Sequence, residues 1–175
     1  FLKPEFLLKL NEELKSAKYF VKGPANQQNY EVLDVKSLSK SSDVAKLLNI
    51  LASKQFFHLL HEYTELDLLE NRIELQRWKG GCYTLIGDPS TYANDSLDLI
   101  FYIGNNEHVG IVNYLTPEDS EDSDDESVLL TVYPQNNSLN LVYRSAGTAN
   151  FMKYCYKSTI MDDEFNYIIV CSYKE

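Results

Sequence analysis

The sequence predicts a mainly β domain, a double-sheet jelly roll or barrel with helices laid over one outer face. Three observations lead there. Apolar residues recur with a helical period in the first third; the period switches near Arg72 to short runs rich in Val, Ile, Tyr and Phe; and turn residues, with no helix between, separate those runs. The 175 residues suffice for one domain with its own core. It divides into a mostly helical cover over 1–70 and an eight-stranded jelly roll over 72–175.

In chain order, Pro4 and Glu5 suit a first helical turn, and Phe6, Leu7, Leu10, Leu14 and Ala17 follow at three- and four-residue spacing until Lys22-Gly23-Pro24 ends the helix. After a polar stretch at 25–29, Ser42 and Asp43 supply an N-cap and a first-turn acid for a second helical region. Its stripe of Val44, Leu47, Leu48, Leu51, Phe56, Leu59 and Leu60 predicts packing onto a core. Eight strands are then expected near 72–78, 82–86, 97–103, 109–115, 128–133, 139–143, 151–156 and 165–173. Turn chemistry separates them: Gly80-Gly81, Gly87-Asp88-Pro89-Ser90, Gly104-Asn105-Asn106, Pro134-Gln135-Asn136-Asn137 and Ser145-Ala146-Gly147. Residues 117–126 carry seven carboxylates and no large apolar side chain, which predicts a solvated, disordered loop. Ser120 and Ser123, each followed by acidic residues, are candidate phosphorylation sites for an acid-directed kinase.

Composition excludes several classes. A net charge of −10 and the absence of a Lys/Arg cluster argue against direct nucleic-acid binding. No apolar run approaches the roughly 18 to 20 residues of a membrane helix. Three cysteines without a CxxC pattern read as reduced thiols of a nuclear or cytoplasmic protein. The chain opens on Phe1 and shows no signal peptide, so a piece of a longer protein is expected.

Catalytic equipment is not evident. A non-haem iron site needs two imidazoles and a carboxylate on one face. His58 and His61 fall in the helical third and His108 in a turn, so the jelly roll cannot build that triad from its own strands. Neither GxSxG nor a recognisable Cys/His pair occurs, and Cys82, Cys155 and Cys171 lie in strand-like runs as buried, unreactive thiols. Asp88 and Asp98 are carboxylates that could flank a pocket, but Asp98 is expected to alternate outward between Leu97 and Leu99.

Several stretches resemble a known family: Phe1-Leu2-Lys3-Pro4-Glu5, the block Glu74-Leu75-Gln76-Arg77-Trp78-Lys79-Gly80-Gly81-Cys82-Tyr83-Thr84-Leu85-Ile86-Gly87-Asp88, Leu97-Asp98-Leu99-Ile100, Leu129-Leu130-Thr131-Val132, and Asn136-Asn137-Ser138-Leu139-Asn140-Leu141-Val142-Tyr143-Arg144. Together they resemble the C-terminal half of the prolyl 3,4-dihydroxylase family of 2-oxoglutarate- and Fe(II)-dependent oxygenases, which includes fungal oxygen sensors. The resemblance implies a double-stranded β-helix, the degenerate, non-catalytic copy that follows a catalytic one. By strand order, Gly87 and Pro89 then stand where a His-x-Asp pair would be and Met152 where a second histidine would be. Glu164 falls where a basic residue would meet 2-oxoglutarate. No cofactor or metal is therefore expected in this chain, while the parent would use Fe(II) and 2-oxoglutarate, with ascorbate as a candidate reductant. The implied partners are the parent's own N-terminal catalytic domain and, in fungal relatives, a hypoxia-responsive sterol-regulatory transcription factor and a nuclear inhibitor protein, in nucleus and cytoplasm. Two other readings stay open: a structural domain that packs on the catalytic half of a ribosomal-protein prolyl hydroxylase, and a residual oxygenase or small-ligand cupin.

Overall fold

Helix α1 (Pro4–Ser16) begins with proline at its first position and buries Leu10 and Leu14. The computed structural model describes residues 1–116, 128–157 and 165–174; Ser120, Ser123, Glu164 and the acidic run 117–126 lie outside the described residues.

The helical reading of residues 1–70 needs correction at its first boundary. The chain leaves the helix at Ser16, well before Lys22, and forms a hairpin of β1 (Tyr19–Lys22) and β2 (Gln28–Leu33). Tyr19, Phe20 and Val21 are aromatic and β-branched, which suits a pleated edge. Across the sheet Arg77 lies over the Tyr19 ring at 4.0 Å and pairs with Glu31 at 2.5 Å. Hydrogen bonds from Arg77 and Lys79 hold the Glu31 carboxyl below its ordinary range even though its burial pulls the other way.

Helix α2 (Asp43–Leu51) is capped twice. Ser42 Oγ accepts from the Ala45 amide at 3.1 Å, and the Glu13 carboxylate of α1 accepts from Ser42 Oγ, Asp43 N and Val44 N. One helix thus supplies the anionic cap of the next. Helix α3 (Lys54–Thr64) starts at the Ser53 cap and ends at Glu65, which takes a left-handed conformation with φ 60°.

All eight expected strands form: β3 (Glu70–Trp78), β4 (Tyr83–Thr84), β5 (Ser96–Ile103), β6 (Val112–Leu115), β7 (Val128–Val132), β8 (Ser138–Arg144), β9 (Asn150–Met152) and β10 (Asn166–Lys174). β4 and β9 are shorter than the sequence suggests. The large sheet runs β1-β2-β3-β10-β5-β8, with β4 pairing β2 at its rim, and the small one runs β7-β6-β9. β4 also reaches the small sheet, where the Met152 amide donates to Thr84 Oγ1 at 2.7 Å. From β3 to β10 the chain crosses repeatedly between two layers, which makes it a double-stranded β-helix.

β5 is buried along its whole length. Leu97, Leu99, Phe101 and Ile103 pack beneath the helices with Leu10, Leu14, Leu47, Leu51 and Leu60. Ile100 and Tyr102 face the other way, into the space between the sheets, with Val112, Tyr114, Met152 and Ile168. β10 is divided in the same manner, Ile169, Cys171 and Tyr173 toward the helices and Ile168 toward the small sheet. Burial on both faces is why these two strands read as nearly continuous apolar runs. Trp78 is wholly buried and stacks on Tyr30, centroids 5.3 Å apart.

The turn after β5 is clamped from β10. Asn166 Nδ2 donates to the Asn106 and Val109 carbonyls, and its Oδ1 accepts from the Asn106 amide. Gly104, with φ +146°, lies so close that a Cβ there would sit 2.2 Å from Asn166 Oδ1.

Candidate functional site

Asp98 does not alternate outward. It is 4% exposed and points into the space between the sheets, because β5 has no solvent face. Its Oδ1 accepts from Ser96 Oγ at 3.2 Å and Ser172 Oγ at 2.9 Å. Its Oδ2 accepts from Arg144 Nε at 3.2 Å, Tyr114 Oη at 3.3 Å and Asn150 Nδ2 at 3.2 Å. The donors come from β5, β6, β8, β9 and β10, so one carboxylate ties the two sheets together.

Arg144 is 6% exposed and fixed on three sides. Beyond the Asp98 contact, its Nη1 donates to the Thr148 carbonyl at 3.2 Å and its guanidinium lies 5.2 Å from the centroid of the Tyr92 ring. The pair satisfies the rule that a buried charge needs both an opposite charge and hydrogen bonds. Burial, together with the adjacent Asp98 charge, raises the Tyr114 hydroxyl's pKa, so that hydroxyl stays protonated and keeps donating. A carboxylate offers about four lone-pair sites. Five donors saturate it, which leaves Asp98 no lone pair for a base or a metal ligand.

The positions singled out for the iron chemistry lie close to this knot. Gly87 and Pro89 are on an exposed loop; Gly87 N donates to Tyr92 Oη, and Tyr92 Oη donates to the Asn150 carbonyl. Pro89 opens a short 3-10 turn, 89–92, capped by Asp88, whose carboxylate accepts from Ser90 N at 2.9 Å. Met152 is buried among the apolar side chains between the sheets. The structure therefore brings the loop of Gly87 beside β9, and it separates Asp88, which is exposed, from Asp98, which is buried. His58, His61 and His108 are all exposed, the first two on α3 and the third in the turn after β5. His58 faces Glu62 at 3.6 Å and His61 faces Asp67 at 3.4 Å. Among the described residues, no three His, Cys, Asp or Glu side chains converge as a metal site would require. The donor set assembled by the described residues does not fit Fe(II).

The three thiols are buried. Burial raises all of them, Cys155 to about 11 and Cys171 to about 12. No helix among the described residues is long and apolar enough to cross a membrane. Sequence reasoning missed the Asp98 knot, but a signal existed: Asp98 is paired across the sheet with Ser172, and Ser96 with Arg144, so polar residues in three apolar strands fall in register.

Residues 4–175 match the family described as "Oxoglutarate and iron-dependent oxygenase degradation C-term". Prolyl 3-hydroxylase sudestada1 of Drosophila melanogaster is 38% identical over 177 aligned residues, covering 87% of this chain and 32% of that protein. Prolyl 3-hydroxylase OGFOD1 of Mus musculus is 41% identical over 85 residues, covering 46% of this chain and 14% of its own length. The chain thus spans a minor part of these curated relatives. Two solved structures share its fold at low identity. One is a 2OG-Fe(II) oxygenase family oxidoreductase from Burkholderia pseudomallei, with TM-score 0.64 and 10% identity over 99% of this chain and 80% of that one. The other is a Pseudomonas putida prolyl-4-hydroxylase, with TM-score 0.60 and 11% identity over 100% and 89%.

Proposed function

Because this chain belongs to the oxoglutarate and iron-dependent oxygenase degradation C-terminal family, we propose that it is the non-catalytic C-terminal double-stranded β-helix of a 2-oxoglutarate- and Fe(II)-dependent prolyl hydroxylase. In this reading it serves as a protein-interaction domain that promotes degradation of a hypoxia-responsive transcription factor. The observation that carries the reading is the saturated Asp98 knot: the polar interior of the barrel is spent on joining its two sheets. Gly87, Pro89 and Met152 add no ionisable or imidazole ligand beside it. A calorimetric titration of the chain with Fe(II) and 2-oxoglutarate tests it. Flat traces are expected, and stoichiometric heat for both would overturn the non-catalytic reading. For the degradative role, the chain immobilised on resin should retain the transcription factor or a component of the proteolysis machinery. Failure to retain either would overturn that part.

A second reading, packing against the parent's own catalytic domain, is favoured by the edge strands. Val128, Leu129 and Leu130 on β7 and Leu141 and Tyr143 on β8 are 40 to 57% exposed. Apolar edges of this kind usually meet another surface. If the catalytic half covers them, Leu129→Glu with Leu141→Glu should weaken association of the two halves in sedimentation, and unchanged association would rule the edges out.

A further inference from the structure

The block Trp78-Lys79-Gly80-Gly81-Cys82-Tyr83-Thr84, prominent in the sequence, is not used by the Asp98 knot, and the structure shows what it builds. Trp78 is sealed against Tyr30 and Lys79 is engaged by Glu31 at 3.0 Å. The Gly80-Gly81 turn is bonded to the segment after β9: the Gly81 amide donates to the Cys155 carbonyl at 2.7 Å and the Cys155 amide donates to the Cys82 carbonyl at 2.9 Å. The stem of Lys157 lies on the two glycines. A Cβ on Gly80 would sit 3.1 Å from Lys157 Cα, and one on Gly81, where φ is +91°, would sit 2.9 Å from Lys157 Cε. The glycine pair is the bed that holds this lysine.

With Cys155 buried as an anchor, its neighbours face outward. Lys153, Tyr154, Tyr156 and Lys157 are exposed, the tyrosines at 47% and 68%. The Tyr154 ring lies 6.0 Å from that of Tyr83 and 5.4 Å from that of Tyr156. The Tyr83 hydroxyl is tied to the Ala25 carbonyl. Among the described residues, no carboxylate pairs with Lys153 or Lys157. Lys153 and Lys157 thus flank Tyr154 and Tyr156, with the Tyr83 ring alongside, on a chain of net charge −10.

We infer that this strip docks an acidic peptide segment of a partner protein, with proline or aromatic side chains laid on Tyr83, Tyr154 and Tyr156 and carboxylates at both ends meeting Lys153 and Lys157. The inference rests on the proposed protein-interaction role and names the face and the chemistry of the partner. Charge complementarity selects the occupant, because an acidic segment, disfavoured by the chain's net charge of −10, meets two exposed lysines beside the tyrosines here. Rigid aromatic rings suit proline and aromatic side chains. Lys153 and Lys157 are four positions apart in the chain, and carboxylates four residues apart in an extended peptide can span at most about 14 Å. The backbone is already pinned by Gly81, Cys82 and Cys155, so little ordering is left to oppose binding.

Fluorescence anisotropy with a fluorescein-labelled Glu-Pro-Phe-Pro-Glu peptide tests the strip on the intact chain. Saturable binding is expected, weakened about tenfold by Lys153→Glu with Lys157→Glu and about fivefold by Tyr154→Ala with Tyr156→Ala. The charge-reversed variant should in turn prefer a Lys-Pro-Phe-Pro-Lys peptide, a swap that a merely misfolded protein would not show. Absence of saturable binding by the unmodified chain, equal affinity of both variants, or tighter binding of a labelled oligothymidine than of the acidic peptide would each overturn the proposal. A failed peptide with a flat Fe(II) and 2-oxoglutarate titration removes only this docking face. Heat in that titration removes the non-catalytic reading instead, whatever the peptide does.

Discussion

Replacing Arg144 with methionine would leave the Asp98 carboxylate, 4% exposed, without its cationic partner. Removing one member of a buried pair typically costs about 3 to 5 kcal/mol. Four neutral donors remain on Asp98, from Ser96, Ser172, Tyr114 and Asn150, which places the cost near the lower end. Loss of the bond to the Thr148 carbonyl and of the contact with Tyr92 adds to it. A total of about 3 kcal/mol corresponds to a fall in Tm of about 6 to 12 °C for a domain of this size. Urea unfolding read by the single tryptophan, Trp78, which is buried, measures it directly. The diagnostic comparison is the double variant Asp98→Leu with Arg144→Met. It should be less destabilised than the sum of the single changes by about 2 kcal/mol, since neither charge is then stranded. A cost below about 1 kcal/mol for Arg144→Met, or strict additivity in the double variant, would refute the account of the knot as a mutually dependent buried pair.

Gly104→Ala should destabilise by about 3 kcal/mol, because a Cβ at φ +146° meets Asn166 Oδ1 at 2.2 Å; calorimetric melting checks this, and an unchanged Tm would mean that the clamp yields. Glu13→Ala should cost about 1 kcal/mol by removing the acceptor shared by Ser42, Asp43 and Val44, measured by urea unfolding, whereas Glu12→Ala should not. Native protein at pH 8 should resist maleimide labelling at Cys82, Cys155 and Cys171, and mass spectrometry should find all three labelled in denaturant. The same thiols make stability fall at alkaline pH. They stay protonated in the folded state while the unfolded chain ionises, so the stability is intact below about 9 and declines between there and about 11 for Cys155, by about 1.4 kcal/mol per pH unit and thiol.

What could be read in advance was what depends on local pattern. The stripe from Val44 to Leu60 and the strand runs from Arg72 onward carry their own periodicity, and each became the expected kind of element. Two features resisted for different physical reasons. β1 and β2 are four and six residues long and flank Gly23-Pro24, a dipeptide that ends a helix as readily as it turns a hairpin, and the strand that joins this hairpin to the sheet, β3 beside β2, lies far along the chain. Asp98 was misjudged because alternation distinguishes inside from outside only when a strand has an outside. On β5 both faces are interior, and the group that makes a carboxylate tolerable there, Arg144, is 46 residues away. The strip around Tyr154 lay in plain view as Lys153-Tyr154-Cys155-Tyr156-Lys157, but which of its residues turn outward depends on the Cys155 anchor, a tertiary contact.

The strand order of the large sheet also decides when the domain can close during its synthesis. β10 lies between β3 and β5, and it leaves the ribosome after both. About 90 residues separate it from the end of β3, so roughly 5 to 18 seconds pass at ordinary elongation rates before the central position is filled. During that interval Leu75 and, once they have been made, Leu99 and Ile100 lack the strand that will lie between them. The nascent chain carries two apolar half-cores with facing open edges, a state open to strand exchange with neighbouring chains on the same message. A chaperone that engages β3 or β5 must hold on until Ile168 and Ile169 have emerged, because only then does the sheet have a middle.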